Sequence, residues 1–217
     1  MNEPFVRWDW IAGHLDEVWA RTIEHLELTG LAVGIGFVVA MLMSIVAIRF
    51  RRMYAPITWV TGILYTIPSI AVFALLVPVT GLTITTAEVG LVSYTLLILV
   101  RNIVAGIAGV PDATREAAIA MGFRRWRMFA QIEVPLALPV IIAGVRIATV
   151  TTVGLVTVTS LIGQGGYGAF INDGLRRFFN TPLVLGAVLS VALAIALDVL
   201  LVFAERALTP WARRRTA

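Results

Sequence analysis

The chain has 217 residues, of which 59% are hydrophobic and 14% charged, with a formal net charge of +4. A water-soluble domain is about a quarter charged, so this composition excludes one and fits a single membrane domain. The absence of cysteine excludes disulfides, thiolate metal sites and cysteine nucleophiles. All 17 basic residues are arginine, so the lysine that a Walker A loop sets on nucleotide phosphates is missing. The arginines flank apolar stretches. That arrangement suits anionic lipid headgroups, and it does not form the accessible basic surface a nucleic acid would need.

Residues 1–27 carry six acids (Glu3, Asp9, Asp16, Glu17, Glu24 and Glu27) ahead of any apolar run, unlike a secretory signal peptide. Within 8–26, Trp8, Ile11, Leu15, Val18, Trp19, Ile23 and Leu26 approximate a helical stripe. With Trp10, the tryptophans suit a membrane interface. This segment is either an amphipathic helix on the outer leaflet or the helical lead-in to the first span. His14 and His25 are not at a metal-ligand spacing and read as surface residues; no metal site is expected.

A membrane-spanning helix needs about 20 mostly apolar residues. Five segments qualify: Leu28–Ile48, Ile57–Val79, Thr86–Ala105, Leu136–Ile162 and Leu183–Ala204. Pro68 breaks the second of them locally and frees carbonyls that a neighbour or a solute must satisfy. With the N-terminus outside, the cytoplasmic side collects twelve arginines (49, 51, 52, 101, 115, 124, 125, 127, 206, 213, 214 and 215). The outside then keeps four (7, 21, 176 and 177), and Arg146 lies within a span. Positive-inside bias therefore predicts N-out, C-in.

Between the third and fourth spans lies a charged stretch. Pro111-Asp112 stops one helix and starts another, which runs to Met121 and ends at Gly122. Phe123–Ile132 reads as a second short helix, apolar at Phe123, Trp126, Met128 and Phe129 and charged at Arg124, Arg125 and Arg127. Pro135 and Pro139 punctuate the entry to the fourth span.

Glu116-Ala117-Ala118, Gly122, Ile132 and Pro135 form one spaced pattern. It resembles the EAA loop of binding-protein-dependent ABC importer permeases. Ile23–Thr29, Thr66-Ile67-Pro68-Ser69, Val100-Arg101-Asn102 and Leu161–Gly168 resemble further elements of the osmoprotectant branch. Tyr65 and Ile98 depart from that branch, where glutamine and proline are common. The resemblance covers most of residues 23–208 and implies an all-α integral membrane protein with about five transmembrane helices. The architecture expected is the type I ABC importer permease (MetI-like) one, N-out/C-in, with a cytoplasmic coupling helix. The domains expected are an extracytoplasmic segment 1–27, a transmembrane permease domain 28–208 and an Arg-rich tail 209–217.

The same resemblance implies partners. A separate ABC ATPase subunit would dock at Glu116, Ala117, Ala118, Gly122, Ile132 and Pro135 and would hold the ATP and magnesium. An extracytoplasmic substrate-binding protein would deliver glycine betaine, choline, carnitine or proline betaine. The permease would pair as a homodimer or with a related permease in the bacterial inner membrane. No cofactor is expected on this chain, nor any enzymatic chemistry. The alternatives are an amino-acid, methionine-type or phosphonate importer of the same architecture, and an ion-gradient-driven carrier.

Arg146 and Asp198 are charges within spans, both in the cytoplasmic half, and are expected to pair. No other acid reads as deeply placed, which counts against an ion-driven carrier. The fourth span is rich in hydroxyls. Thr149, Thr152 and Thr157, with Pro68, Gly165 and Gly166, are candidates for the translocation path or an outer gate. Alternatively, the hydroxyls bond carbonyls of their own helix.

Overall fold

The computed structural model describes residues 5–211, and the arginine tail 213–215 lies outside them. Among the described residues every regular element is a helix: α1 (Trp8–Ala12), α2 (Leu15–Arg49), α3 (Tyr54–Thr66), α4 (Ser69–Thr80), α5 (Ile84–Ala108), α6 (Asp112–Ala120), α7 (Arg125–Met128), α8 (Val134–Val158), α9 (Gly168–Arg177) and α10 (Asn180–Leu208). Helices are what a bilayer demands, because nothing in hydrocarbon satisfies an open backbone.

The core is built in two storeys. Ala40, Ala47, Ile57, Leu99, Val100, Ile103, Ile107, Ala137, Ile141 and Ala148 pack at one end. Leu28, Ala32, Phe73, Ala87, Leu91, Val156 and Ile162 pack at the other. Both storeys take α2 and α5 residues in the same chain direction, so these two helices are parallel, while α8 runs against them. The chain must therefore return between α2 and α5. It does so through α3 and α4, since Ile57 belongs to the first storey and Phe73 to the second. The α3–α4 pair is thus one broken crossing. Its bend is 94°, far sharper than the local interruption expected from Pro68. With α2, α5, α8 and α10, it makes five crossings. The arginine-rich end, holding the first storey, is the inner one.

Small residues let the helices touch. A Cβ on Gly36 of α2 would lie 2.0 Å from the Thr95 hydroxyl of α5, and one on Gly144 of α8 would lie 2.4 Å from Asn102 of α5. In hydrocarbon, where apolar burial supplies no drive between helices, such close contact is the main source of adhesion.

Two expectations change, and one open alternative closes. Over 8–26 the structure takes the helical lead-in to the first span, not one separate surface helix. Only α1 stands apart, and α2 runs unbroken for 35 residues from Leu15 through the first span, about 52 Å at 1.5 Å per residue. The second short helix is not separate either: α7 passes through a π turn at Phe129–Glu133 directly into α8. Pro135 sits in the first turn of α8, where a missing N–H costs little, and Pro139 is carried inside the helix. Arg101 lies within α5, seven residues before its end, exposed on the surface.

Candidate functional site at the inner elbow

The inner end is organised around α6. Pro111 caps it at φ −60°, and Asp112 places a carboxylate in its first turn, where the helix dipole favours one. The helix closes as a Schellman motif. The Phe123 N–H donates to the Ala118 carbonyl at 3.0 Å, and the Gly122 N–H to the Ile119 carbonyl at 2.9 Å. Gly122 has φ +79°, with open space around the position of a Cβ. Glycine is needed there for its backbone angle and not for room.

Of the coupling candidates, Ala118 is fully buried against the bundle, while Glu116, Ala117 and Gly122 are exposed. Ile132 is half-buried in the π turn, and Pro135 is half-buried at the start of α8. Around Glu116 the surface is unexpectedly apolar: Ile119, Met121 and Trp126 are each more than 60% exposed. Trp126 is stacked on Phe129 with ring centres 5.6 Å apart. A small exposed apolar patch, with the carboxylates of Asp112 and Glu116 and flanking arginines, therefore lies at the inner end.

Arg115 is a residue the sequence reading counted only as a positive charge. Its Nε donates to Glu133 Oε1 at 2.7 Å and its Nη1 to Asp112 Oδ1 at 2.9 Å. Nη1 also donates to the Val110 carbonyl at 2.8 Å, and Nη2 to the Ile107 carbonyl at 2.6 Å. The Glu133 hydrogen bond, reinforced by Asp112 and opposed by desolvation, holds the guanidinium protonated even more firmly than a free arginine. Glu133 is itself buried, 8% exposed.

In α8 and α10, Arg146 Nε and Nη2 donate to the two carboxylate oxygens of Asp198 at 2.8 and 3.0 Å. A second acid, Glu205, lies 3.5 Å from Nη1. Arg146, Asp198, Ala143, Ile147, Val150 and Thr151 line a groove between these helices.

The path candidates are dispersed. Thr149 and Thr152 are buried, and the Thr149 hydroxyl donates to the Val145 carbonyl of its own helix at 2.8 Å. Thr157 donates to Gly154 in the same way at 2.7 Å. At the Pro68 break, the Ile67 carbonyl accepts a hydrogen bond from the Tyr94 hydroxyl, and Tyr65 packs edge-on to Tyr94. A neighbouring side chain thus satisfies the Ile67 carbonyl.

Gly165 and Gly166 belong to a tight outer turn that folds back onto α2. A Cβ on Gly166 would lie 2.6 Å from that of His25. His25 is therefore not a surface residue but is fully buried. Its Nδ1 accepts from the Tyr167 N–H at 3.3 Å, and its Nε2 donates to the Val153 carbonyl at 3.1 Å. His14 is half-buried, stacked on Trp10 with ring centres 4.0 Å apart. Asp198 is not alone among deep acids either. Glu88 of α5 has both carboxylate oxygens buried without a hydrogen-bond partner, beside Leu31, Ile35 and Val92.

Residues 32–210 match the family described as binding-protein-dependent transport system inner membrane component. The chain is 34% identical to the glycine betaine/carnitine/choline transport system permease protein OpuCB of Bacillus subtilis, covering 89% of each chain. It is 33% identical to the osmoprotectant import permease protein OsmW of Salmonella typhimurium, over 92% of this chain and 94% of that one. Among solved structures it resembles the inward-facing MetNI methionine ABC transporter (TM-score 0.76, 23% identity, 96% of this chain and 100% of that one). It also resembles an amino acid ABC transporter with histidines (TM-score 0.75, 18% identity, 95% and 99%).

Proposed function

The chain belongs to the family of binding-protein-dependent transport system inner membrane components, and on that premise we propose its cargo and its mode of coupling. It is the membrane-spanning permease subunit of an ABC importer, resident in the bacterial inner membrane. The cargo is a quaternary-ammonium osmoprotectant such as glycine betaine, choline, carnitine or proline betaine. Similarity to two permeases whose names specify such solutes supports this assignment. An extracytoplasmic binding protein delivers the solute to the outer face. Two permease subunits, identical or related, enclose the path. Pro68, Thr149, Thr152, Thr157, Gly165 and Gly166 are our candidates to line or gate it. ATP and magnesium are bound by the partner ATPase, and this chain makes and breaks no covalent bond.

One observation carries the mechanism. The exposed apolar patch of α6 and α7, with the exposed Glu116 on the same α6, sits at the inner end between two crossings. Seated in a cleft of the ATPase, it converts closure of the paired ATPases into rotation of α5 and α8. A floppy loop would absorb that motion. The Ala118 face holds the helix to the bundle, and Gly122 sets where it turns.

The test is uptake of labelled glycine betaine into proteoliposomes holding the permease, its ATPase and its binding protein. ATP is supplied and no ion gradient is imposed. Uptake is expected in the native complex, and a Glu116→Arg, Gly122→Trp double variant should lose both bound ATPase and uptake. Uptake that needs an ion gradient, or a double variant that still imports, overturns the reading. The solved neighbours carry amino acids by their own descriptions, which keeps an amino-acid cargo as a second reading. Titration of the binding protein with betaine, choline, proline and methionine separates the two.

A further inference from the structure

We propose that Arg115 is a positioning residue that locks the ATPase-docking helix and the inner ends of α5 and α8 into one rigid lever. This proposal rests on the reading of α6 as that docking helix.

The geometry is that of a three-way fastener. A single guanidinium reaches the last turn of α5 (the Ile107 carbonyl), the linker after it (the Val110 carbonyl), the first turn of its own helix α6 (Asp112) and the residue immediately before α8 (Glu133). The backbone connections that flank α6 would otherwise bend. Residues 109–111 separate it from α5 and include Gly109, while residues 121–124 separate it from α7 and include Gly122. A glycine on each side leaves α6 free to swing relative to the crossings. The three hydrogen bonds of Arg115 that leave α6, to Glu133, Val110 and Ile107, remove that freedom.

Charge makes the fastener directional. Glu133 is 8% exposed, and a carboxylate so buried must keep a partner. Arginine suits the task because its planar fork can hold a carboxylate and several carbonyls at fixed angles, where a lysine ammonium acts as one mobile point charge. Displacement of α6 by the ATPase therefore reaches α8 through Glu133 and α5 through the Ile107 carbonyl, without first taking up slack.

The test uses the assembled importer in proteoliposomes with its ATPase and binding protein, with glycine betaine as the transported probe. Two quantities are read: ATP hydrolysed per solute imported, and the spread of distances between spin labels on Ala108→Cys and Ala120→Cys. The chain contains no native cysteine, so it is labelled alone, at these two positions only, before assembly with the ATPase and binding protein. Arg115→Gln and Glu133→Gln should keep the ATPase bound and hydrolysing. The ATP cost per solute should rise by about fivefold or more, the lower end of ordinary coupling between sites, and the label distances should broaden. Arg115→Lys should likewise keep the ATPase bound and should recover only part of the native stoichiometry.

Native stoichiometry with a native distance spread in both glutamine variants overturns the proposal. So does loss of the fold in both, which would make the fastener purely structural. If only Arg115→Gln fails to assemble, Glu133→Gln, which removes a single ion pair, decides by the same readings. Failure of the underlying reading looks different: Glu116→Arg would then leave ATPase binding and import intact.

Discussion

At the inner end of the bundle one guanidinium joins three helices through four hydrogen bonds. At the outer end the turn after α8 is packed against α2 and back onto the end of α8 largely by the absence of side chains. Gly165, Gly166 and Gly168 each stand where a Cβ would come within 2.6 Å of Ser160, His25 or Thr157. The polar contacts there to α2 are Gly165 N–H to Glu24 at 2.8 Å, Tyr167 N–H to His25 at 3.3 Å and the Tyr167 hydroxyl to Thr22 at 2.8 Å. Charge-assisted bonds hold direction and tolerate small shifts in length. Backbone contact through glycine tolerates almost none. The inner end is therefore built to transmit force, and the outer end to fit.

If that contrast is right, the largest loss of stability comes from the smallest outer substitution. In Gly168→Ala the new Cβ would lie 2.1 Å from the Thr157 carbonyl oxygen, and both partners are backbone. The expected cost is above about 3 kcal/mol, at the severe end of overpacking, seen as a collapse of the unfolding midpoint in detergent. A Gly168→Ala variant with a native midpoint would show that the outer turn is looser than its contacts imply. Next comes His25→Leu. It fills the space but strands the Tyr167 N–H, at about 1–3 kcal/mol for one buried unpaired donor. His25→Asn, which can still accept from that N–H, should recover part of the loss in the same measurement.

The inner end should respond differently. Gly122→Ala meets no atom within 4 Å but must hold φ +79°, which costs roughly 1–2 kcal/mol for a side-chain-bearing residue. The strain is local to the end of α6. Retention of the ATPase on the purified permease should fall more than the unfolding midpoint does. The opposite order would dissolve the distinction between a transmitting end and a fitting end.

These sites were not equally legible in the sequence. The start of α6 at Pro111-Asp112 and its end at Gly122 were readable because each rests on local backbone chemistry: a preset φ, a dipole and a positive φ. The same holds for the five crossings, which need only apolar length. Arg115 and Glu133 were not singled out, because 18 positions separate them and each, alone, resembles an ordinary loop charge. His25 was misread for a related reason. A lone polar residue at the head of an apolar run looks solvated until the glycine turn 140 residues later is known to close over it. The glycines of that turn were the available signal, since closely spaced glycines often mark where another backbone must approach. The merger of α7 with α8 is not legible in the sequence, because Pro135 and Pro139 punctuate the entry to the fourth span and so suggest a break there. A π turn just before Pro135 lets the Val134 N–H reach the Phe129 carbonyl five residues back, and the helix continues.

The smallest effect is expected midway between the two ends, where Arg146 faces two acids. Asp198 takes both arms of its fork at 2.8 and 3.0 Å, and Glu205 waits at 3.5 Å from Nη1. Either acid alone can keep the guanidinium paired, because a small rotation of its long side chain transfers it from one to the other. Asp198→Asn and Glu205→Gln should therefore each change the unfolding midpoint slightly. The double variant leaves a cation within the span without an anionic partner, a situation membranes penalise. Its loss should exceed the sum of the two singles, the signature of sites sharing one partner. Strict additivity would mean that Glu205 offers Arg146 nothing, and that the groove between α8 and α10 is held by Asp198 alone.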